Sequence, residues 1–443
     1  MLTIDKERQK QSFKQKITAT LAQFLPIIVI KNFLIYSAGS IILRSISMVM
    51  TPFTLAMLSP SDYGFLSMMT SFNNILVIFS GFGLRQVFYL EFFHCDSSQR
   101  HTMVNTIIVI YLMLAIPLFC LLLYNAPLIN TYCFMGNANT TLISIMLLYC
   151  FMYFFAELFY QVLQYQTKAL HLTTLQTIVA LLTITANLTF LYVLGWGVYG
   201  MMIGYTLGIA TACLVGLHAY LHKKSFKFFN IARSLKQGSY YLKLGLPFIP
   251  SVLFGWVLAS GDRWVLARYG TMHDVGIYSL ADMFGSLYQV FILYPMSGSY
   301  LPYLFQKFAE NKHDVAHIEQ WNKKVMYISM VVALVLISIG FFICRPIIYW
   351  LLPMKYHEAI NYIWFILVGH VFLMGSYFAS ALIQFHKKTT YLVFALCVPA
   401  VLNIVLNILL IPYFAIYGCV VATVIAYICY FLLTLWYNAK LNS

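Results

Sequence analysis

Residues 389–437 read TTYLVFALCVPAVLNIVLNILLIPYFAIYGCVVATVIAYICYFLLTLWY, and no charged side chain interrupts them. A hydrocarbon core about 30 Å thick takes roughly 20 apolar residues of α-helix to cross. The stretch holds two such crossings, with Ile411-Pro412 as the break between them. A membrane β-barrel would need strands of about ten residues with strict alternation. Alternation is absent here, so the stretch reads as helix.

The same pattern extends outward over nearly the whole chain. Of its 443 residues 61% are hydrophobic and 9% are charged, and the mean hydropathy is +0.81. A soluble globule carries about 25% charged residues to cover its surface, so lipid is the main solvent of this protein. Exposed backbone polar groups are costly in lipid, which leaves helices as the spanning element. Twelve spans are expected, at 32–57, 65–92, 103–124, 140–166, 171–194, 198–221, 243–269, 275–303, 324–351, 357–385, 389–411 and 415–437. The tail of the ninth, from Arg345-Pro346 to Leu352, is expected near the membrane surface. Residues 1–31 carry no cleavable signal peptide pattern and read as a retained N-terminal arm.

Net charge is +14, which in a soluble protein would point to nucleic acid. Its distribution gives another cause. Of the 27 Lys and Arg, 21 fall on the side of the membrane that holds both termini; Arg268, Arg345 and Lys355 fall on the other, and Arg44, Arg85 and Arg263 within spans. Positive charge collects on the cytoplasmic side, so both termini are expected there, and no nucleic-acid partner is needed to explain the charge. The nine Cys are scattered without a C-x-x-C pair and read as small buried hydrophobes.

The chain repeats itself. Ser61-Asp62-Tyr63-Gly64 returns as His273-Asp274-Val275-Gly276, Gln164-Tyr165-Gln166-Thr167-Lys168 as Gln384-Phe385-His386-Lys387-Lys388, and Gly200, Gly204 and Gly208 as Gly418, Ala422 and Ala426. The offsets of 212, 220 and 218 residues are nearly constant. Two six-helix bundles follow, at 32–221 and 243–437, inserted the same way up. A basic linker at 222–242, with Phe226, Phe228 and Phe229, is expected on the cytoplasmic membrane surface, and 438–443 form a cytoplasmic tail.

No P-loop is present, which argues against ATP hydrolysis in this chain. His313-Asp314-x-x-His317 has i,i+4 spacing but lacks a third metal ligand and reads as a solvated helix face. No cofactor is expected. Charges at bilayer depth are the informative residues, because each needs a partner or a wet cavity. Arg44, Arg85 and Arg263 are candidate cavity cations; Glu157, Asp262 and Asp282 are candidate proton carriers. Asp262 and Arg263 are adjacent and point about 100° apart on one helix, and Arg263 can either pair with Asp282 or face the cavity. The glycine stripe of span six suits close helix packing. Pro247, Pro250, Pro295 and Pro302 permit bends, and Asn187, Asn403 and Asn407 suit interhelical hydrogen bonds.

Four stretches resemble polysaccharide-lipid flippases of the O-antigen (Wzx) type, within the multidrug/oligosaccharidyl-lipid/polysaccharide exporter superfamily. They are Lys31-Asn32-Phe33 through Arg44 and Thr51-Pro52 to Leu58-Ser59-Pro60-Ser61-Asp62-Tyr63-Gly64; Gly81-Phe82-Gly83-Leu84-Arg85; Gly261-Asp262-Arg263-Trp264 with Val275-Gly276-Ile277-Tyr278-Ser279-Leu280-Ala281; and Asn403-x-x-x-Asn407 with Ile411-Pro412 and Tyr417-Gly418. The resemblance implies a V of two six-helix bundles and no enzyme activity. It implies alternating access for an oligosaccharide on polyprenyl diphosphate, with membrane lipid around it and polysaccharide polymerase and chain-length machinery as further partners. The surface product would be O-antigen (lipopolysaccharide), capsule or another exopolysaccharide. A multidrug/cation antiporter of the same superfamily is the main alternative, and a membrane glycan polymerase or ligase the next; short outer loops and the two-fold repeat weigh against the latter.

Overall fold

The computed structural model describes residues 46, 48–92, 95, 97–166, 168–222, 231–293, 300–301, 303–305, 307–308, 310, 315–386 and 388–442. Arg44, the N-terminal arm, Phe226, Phe228, Phe229, Pro295, Pro302 and the His313-Asp314 pair lie outside them.

In chain order the helices are α1 (Met48–Met57), α2 (Pro60–Ser80), α3 (Leu84–Glu91), α4 (Ser97–Tyr124), α5 (Ala126–Cys133), α6 (Thr140–Tyr165), α7 (Ala169–Leu188), α8 (Gly197–His222), α9 (Ile231–Gly245), α10 (Ile249–Tyr269), α11 (Met272–Tyr288), α12 (Val315–Leu351), α13 (Ile360–Phe385) and α14 (Thr389–Asn442). Among the described residues there is no strand, and nine helices are long and apolar enough to cross a membrane. The protein is thus a multi-pass membrane protein. Large apolar side chains on its exterior, such as Val331, Val335, Ile339 and Phe342 of α12, have lipid as their natural neighbour.

Several expected boundaries move. The second span breaks: α2 ends at Ser80, Gly83 takes φ 71, and α3 restarts at Leu84. Glycine accepts that left-handed backbone without a Cβ penalty, and a Cβ there would also strike the Gly245 carbonyl. The eleventh and twelfth spans run together as α14, bent at Ala415. The tail of the ninth span is helical through Pro346 to Leu351, and the helix begins earlier than expected, at Val315. The second part of the linker is helix α9, which packs on α3 and α4 and runs through a single 3-10 turn into α10; Tyr240 donates to Glu91 at 3.3 Å.

The sequence repeat is a structural one where α2 and α11 begin. Ser59 caps α2, accepting from the Asp62 N–H at 3.1 Å while the Asp62 carboxylate accepts from the Ser59 N–H at 3.2 Å. Thr271 and Asp274 do the same for α11 at 3.2 and 2.8 Å. Each cap is worth about 1 kcal/mol. Five residues past each cap comes a glycine, and the two helices cross there: a Cβ on Gly64 would collide with Met272 O and Gly276 N, and one on Gly276 with Pro60 O. The two halves of the chain therefore touch backbone to backbone at the ends remote from the basic loops. Tyr356 adds a bond to Leu58 O at 3.1 Å.

Within the first half the glycines of α8 face α7, with Gly204 against Asn187 and Gly208 against Thr183, as the stripe predicted. Among the cysteines Cys150 and Cys419 are buried but Cys120 and Cys344 are exposed on the apolar exterior, so burial is not their common trait.

Candidate functional site

The signature Gly261-Asp262-Arg263-Trp264 lies on α10, and its three side chains fan into three sectors because successive helical residues are about 100° apart. Trp264 points to the other half of the chain, where its indole N–H donates to Ser71 Oγ of α2 at 3.0 Å. Trp256, two turns earlier, donates to the Ser71 backbone carbonyl at 3.1 Å. Buried indoles require such partners, so these bonds tie α10 to α2.

Asp262 points into the second half and is 2% exposed. It accepts from the Tyr278 hydroxyl of α11 and from Thr423 Oγ1 of α14 at 3.4 Å. Asn403 donates to Thr423 at 3.3 Å and Asn407 to Asn403 at 3.0 Å. The polar spots of the last two spans thus form one chain of hydrogen bonds ending on Asp262. Asn187 does not join a comparable chain: its Oδ1, like that of Asn407, has no partner among the described residues.

Arg263 points between these two directions. Its Nη2 donates to Asp282 Oδ2 of α11 at 2.6 Å, Nε to Ser279 Oγ at 3.2 Å, and Nη1 to Ala259 O at 3.1 Å. Asp262 Oδ1 lies 3.8 Å from Nη1. A guanidinium has five N–H donors, so two are left without a hydrogen bond among the described residues. The ion pair of Arg263 with Asp282, one of the two sequence readings, is formed. Arg263 and Asp282 both line a polar cavity of about 250 Å³ with Ser67, Ser71 and Asn74 of α2 and His370 of α13. Side chains from both halves of the chain meet there. His370, which the sequence reading passed over, is 1% exposed, shares a hydrogen bond with Ile366 O at 2.9 Å, and has its ring between Tyr288 and Tyr427. A lone histidine in the apolar run 360–385 was the available signal.

Arg85 and Glu157 are not in this cavity. They pair with each other at 3.1 Å, between α3 and α6, near the basic end of α2. The Arg85 side chain lines a smaller recess with Gly81, Gly83, Ile249 and Val252. Its Nε is buried without a partner among the described residues. The six candidates thus separate into an inner cluster (Asp262, Arg263, Asp282), a pair nearer the basic loops (Arg85, Glu157), and Arg44 outside the described residues. No group of three or more His, Cys, Asp or Glu among the described residues could hold a metal ion.

A family profile described as polysaccharide biosynthesis protein matches residues 29–308, well over half of the chain and including α2, α10 and α11. The chain belongs to the polysaccharide biosynthesis protein family. No curated protein sequence matches it. Among solved structures it is similar to the lipid II flippase MurJ in an inward closed conformation, with TM-score 0.73 and 17% identity over 93% of this chain and 88% of that one. It is also similar to a multidrug resistance MATE family transporter of the MOP superfamily in an inward-facing conformation, with TM-score 0.72 and 15% identity over 90% of this chain and 94% of that one. An outward-facing transporter of that description gives 0.60 at 15% identity, over 93% and 96%. The fold of this polysaccharide biosynthesis protein is therefore that of the MurJ and MATE transporters.

Proposed function

We propose that this protein flips polyprenyl-diphosphate-linked oligosaccharide units across a bacterial inner membrane by alternating access, for O-antigen, capsule or exopolysaccharide synthesis. The observation that carries the reading is Arg263: an arginine with N–H donors to spare, in a polar cavity built by both halves of a polysaccharide biosynthesis protein. Guanidinium matches phosphate with a planar fork of donors. The twelve helices form two parallel six-helix bundles in a V, over 32–221 and 243–437, with cytoplasmic termini, and the polymerase and chain-length machinery take the product.

The Arg263–Asp282 pair sets the chemistry. With Asp282 ionised, its carboxylate holds Arg263, and an incoming phosphate has to displace it. A proton on Asp282 removes that competition, so uptake of a proton and capture of the diphosphate occur together. Asp262 stays on its hydrogen-bond chain and orients the α10 backbone next to Arg263. Arg85 offers further positive charge toward the cytoplasmic mouth, Arg44 of the first expected span is a further candidate cation, and Glu157 holds Arg85 between visits by substrate. A cavity of about 250 Å³ is smaller than the roughly 300–1,000 Å³ of ligand clefts. An oligosaccharide therefore enters only after the halves part, and the Gly64–Gly276 crossing is the exit-side contact that must open for release.

The cation-antiporter reading draws on the same pair, since Asp282 is 18% exposed and could take a cation in place of Arg263. Arg263→Ala separates the two. The flippase reading predicts loss of surface glycan with lipid-linked units accumulating; the antiporter reading predicts drug sensitivity with surface glycan intact.

A further inference from the structure

A second buried acid lies outside this cavity. Glu319 is 1% exposed, in the second turn of α12. At 1.5 Å per residue the 37-residue helix is about 55 Å long, far more than a membrane core needs, and Glu319 precedes the apolar run that starts near 324. Its Oε2 accepts from Asn322 Nδ2 at 3.1 Å and its Oε1 from Asn438 Nδ2 of α14. Among the described residues no ion pair involves it.

The two amides differ in freedom. Asn322 is locked: Tyr300 donates to its Oδ1 at 3.0 Å, and its Nδ2 also donates to Phe378 O at 3.3 Å. Asn438 is not. It is fully buried, yet its Oδ1 has no partner among the described residues. Turning that amide over exchanges donor for acceptor at Glu319 Oε1 and leaves one amide atom unpartnered either way. The amide can therefore serve an ionised carboxylate, by donating, or a protonated one, by accepting its O–H.

We propose that Glu319 is a proton-binding site, with Asn438 as the switchable partner that follows its charge. A carboxyl cut off from water and without an ion-pair partner among the described residues gains from holding a proton. Among the described residues the charged and titratable groups around it are few. Lys323 stands one turn on along α12. Tyr300 reaches it through Asn322, Lys440 of α14 sits over the Trp436 ring at 5.7 Å, and α13 presents the Phe378 carbonyl. The site joins α12, α13, α14 and residue 300 at their basic ends, so proton release leaves there a buried negative charge that Lys323 offsets without an ion pair, and this favours parting of those ends. The site deepens the flippase reading by giving the second half a proton site of its own, apart from the substrate cavity.

The test uses the purified full chain in lipid nanodiscs without substrate, so it does not depend on what is transported. Infrared difference spectra across about pH 5 to 9 should show a carboxylic-acid C=O band that vanishes as pH rises, and Glu319→Gln should lack it. The glutamine mimics the protonated acid, so its melting temperature should vary less with pH than that of the wild type. Asn438→Leu removes the bond to either form, and the bond to the ionised form is the stronger one; the band should then persist to higher pH, with proton affinity up about tenfold, one unit of midpoint. Identical difference spectra for wild type and Glu319→Gln, or an unmoved midpoint in Asn438→Leu, overturns the proposal.

Discussion

Removing Arg263 should damage the protein more than removing Asp282, although the two form one ion pair. Their side chains are 12% and 18% exposed and meet at 2.6 Å. Breaking a buried pair by deleting one partner costs about 3–5 kcal/mol, because a charge is stranded. Arg263→Met strands two, since Asp262 also lies 3.8 Å from Nη1; it should reach the upper end of that range. Asp282→Leu leaves Arg263 beside Asp262 and bonded to Ser279 and Ala259 O, so its cost should fall at or below about 3 kcal/mol. The double variant should recover part of the loss, giving a coupling energy of about 0.5–3 kcal/mol. The assay is a double-mutant cycle on reversible unfolding in detergent micelles, read by tryptophan fluorescence. The reasoning fails if Asp282→Leu is the more damaging, or if the two changes simply add.

Other consequences follow from the same geometry. Gly276→Ala puts a methyl against Pro60 O and should cost about 1–3 kcal/mol, seen as a lower melting temperature; Gly64→Ala should do the same, and the pair should be less than additive because the first change already parts the helices. Ser71→Ala removes the acceptor of the Trp264 indole and should cost about 1–3 kcal/mol, whereas Trp264→Phe, tested in the same melt, should leave Ser71 without that bond but no orphaned buried N–H. Arg85→Ala should be the mildest of the charge removals, near 1 kcal/mol or less, since its pair with Glu157 is 36% and 21% exposed; a loss as large as that of Arg263→Met would show that this pair is more sheltered than it looks.

Much of this fold can be read from residues alone, for physical reasons. Hydropathy and length mark the stretches that form the nine long apolar helices among the described residues, and the Ser/Thr-x-x-Asp caps with a glycine five residues on mark α2 and α11 as equivalents. The adjacency of Asp262 and Arg263 already implies divergent directions. Contacts between distant segments are a different matter. Nothing near Ser71 announces that two tryptophans nearly 200 residues away will bond to it. Arg85 and Glu157, 72 positions apart, each look like a free charge until α3 and α6 are placed side by side. Glu319 was readable but overlooked: with Asn322, Met326, Met330, Ala333, Ile337 and Phe341 it forms one buried stripe at three- and four-residue spacing. An acid on the apolar face of a helix is out of place whether or not that turn lies in the membrane. The break at Gly83 and the merging of the last two spans depend on backbone angles that composition does not fix.

The central claim is that the protein carries lipid-linked glycan between leaflets. The most direct measurement locates lipid-linked oligosaccharide in cells lacking the protein, using a membrane-impermeant reagent to mark the outer leaflet, with wild type and Arg263→Ala restored in parallel. Complete units held on the cytoplasmic side in the deletion and the Arg263→Ala strain, and released by wild type, are the predicted result. Units reaching the outer leaflet without the protein would contradict it.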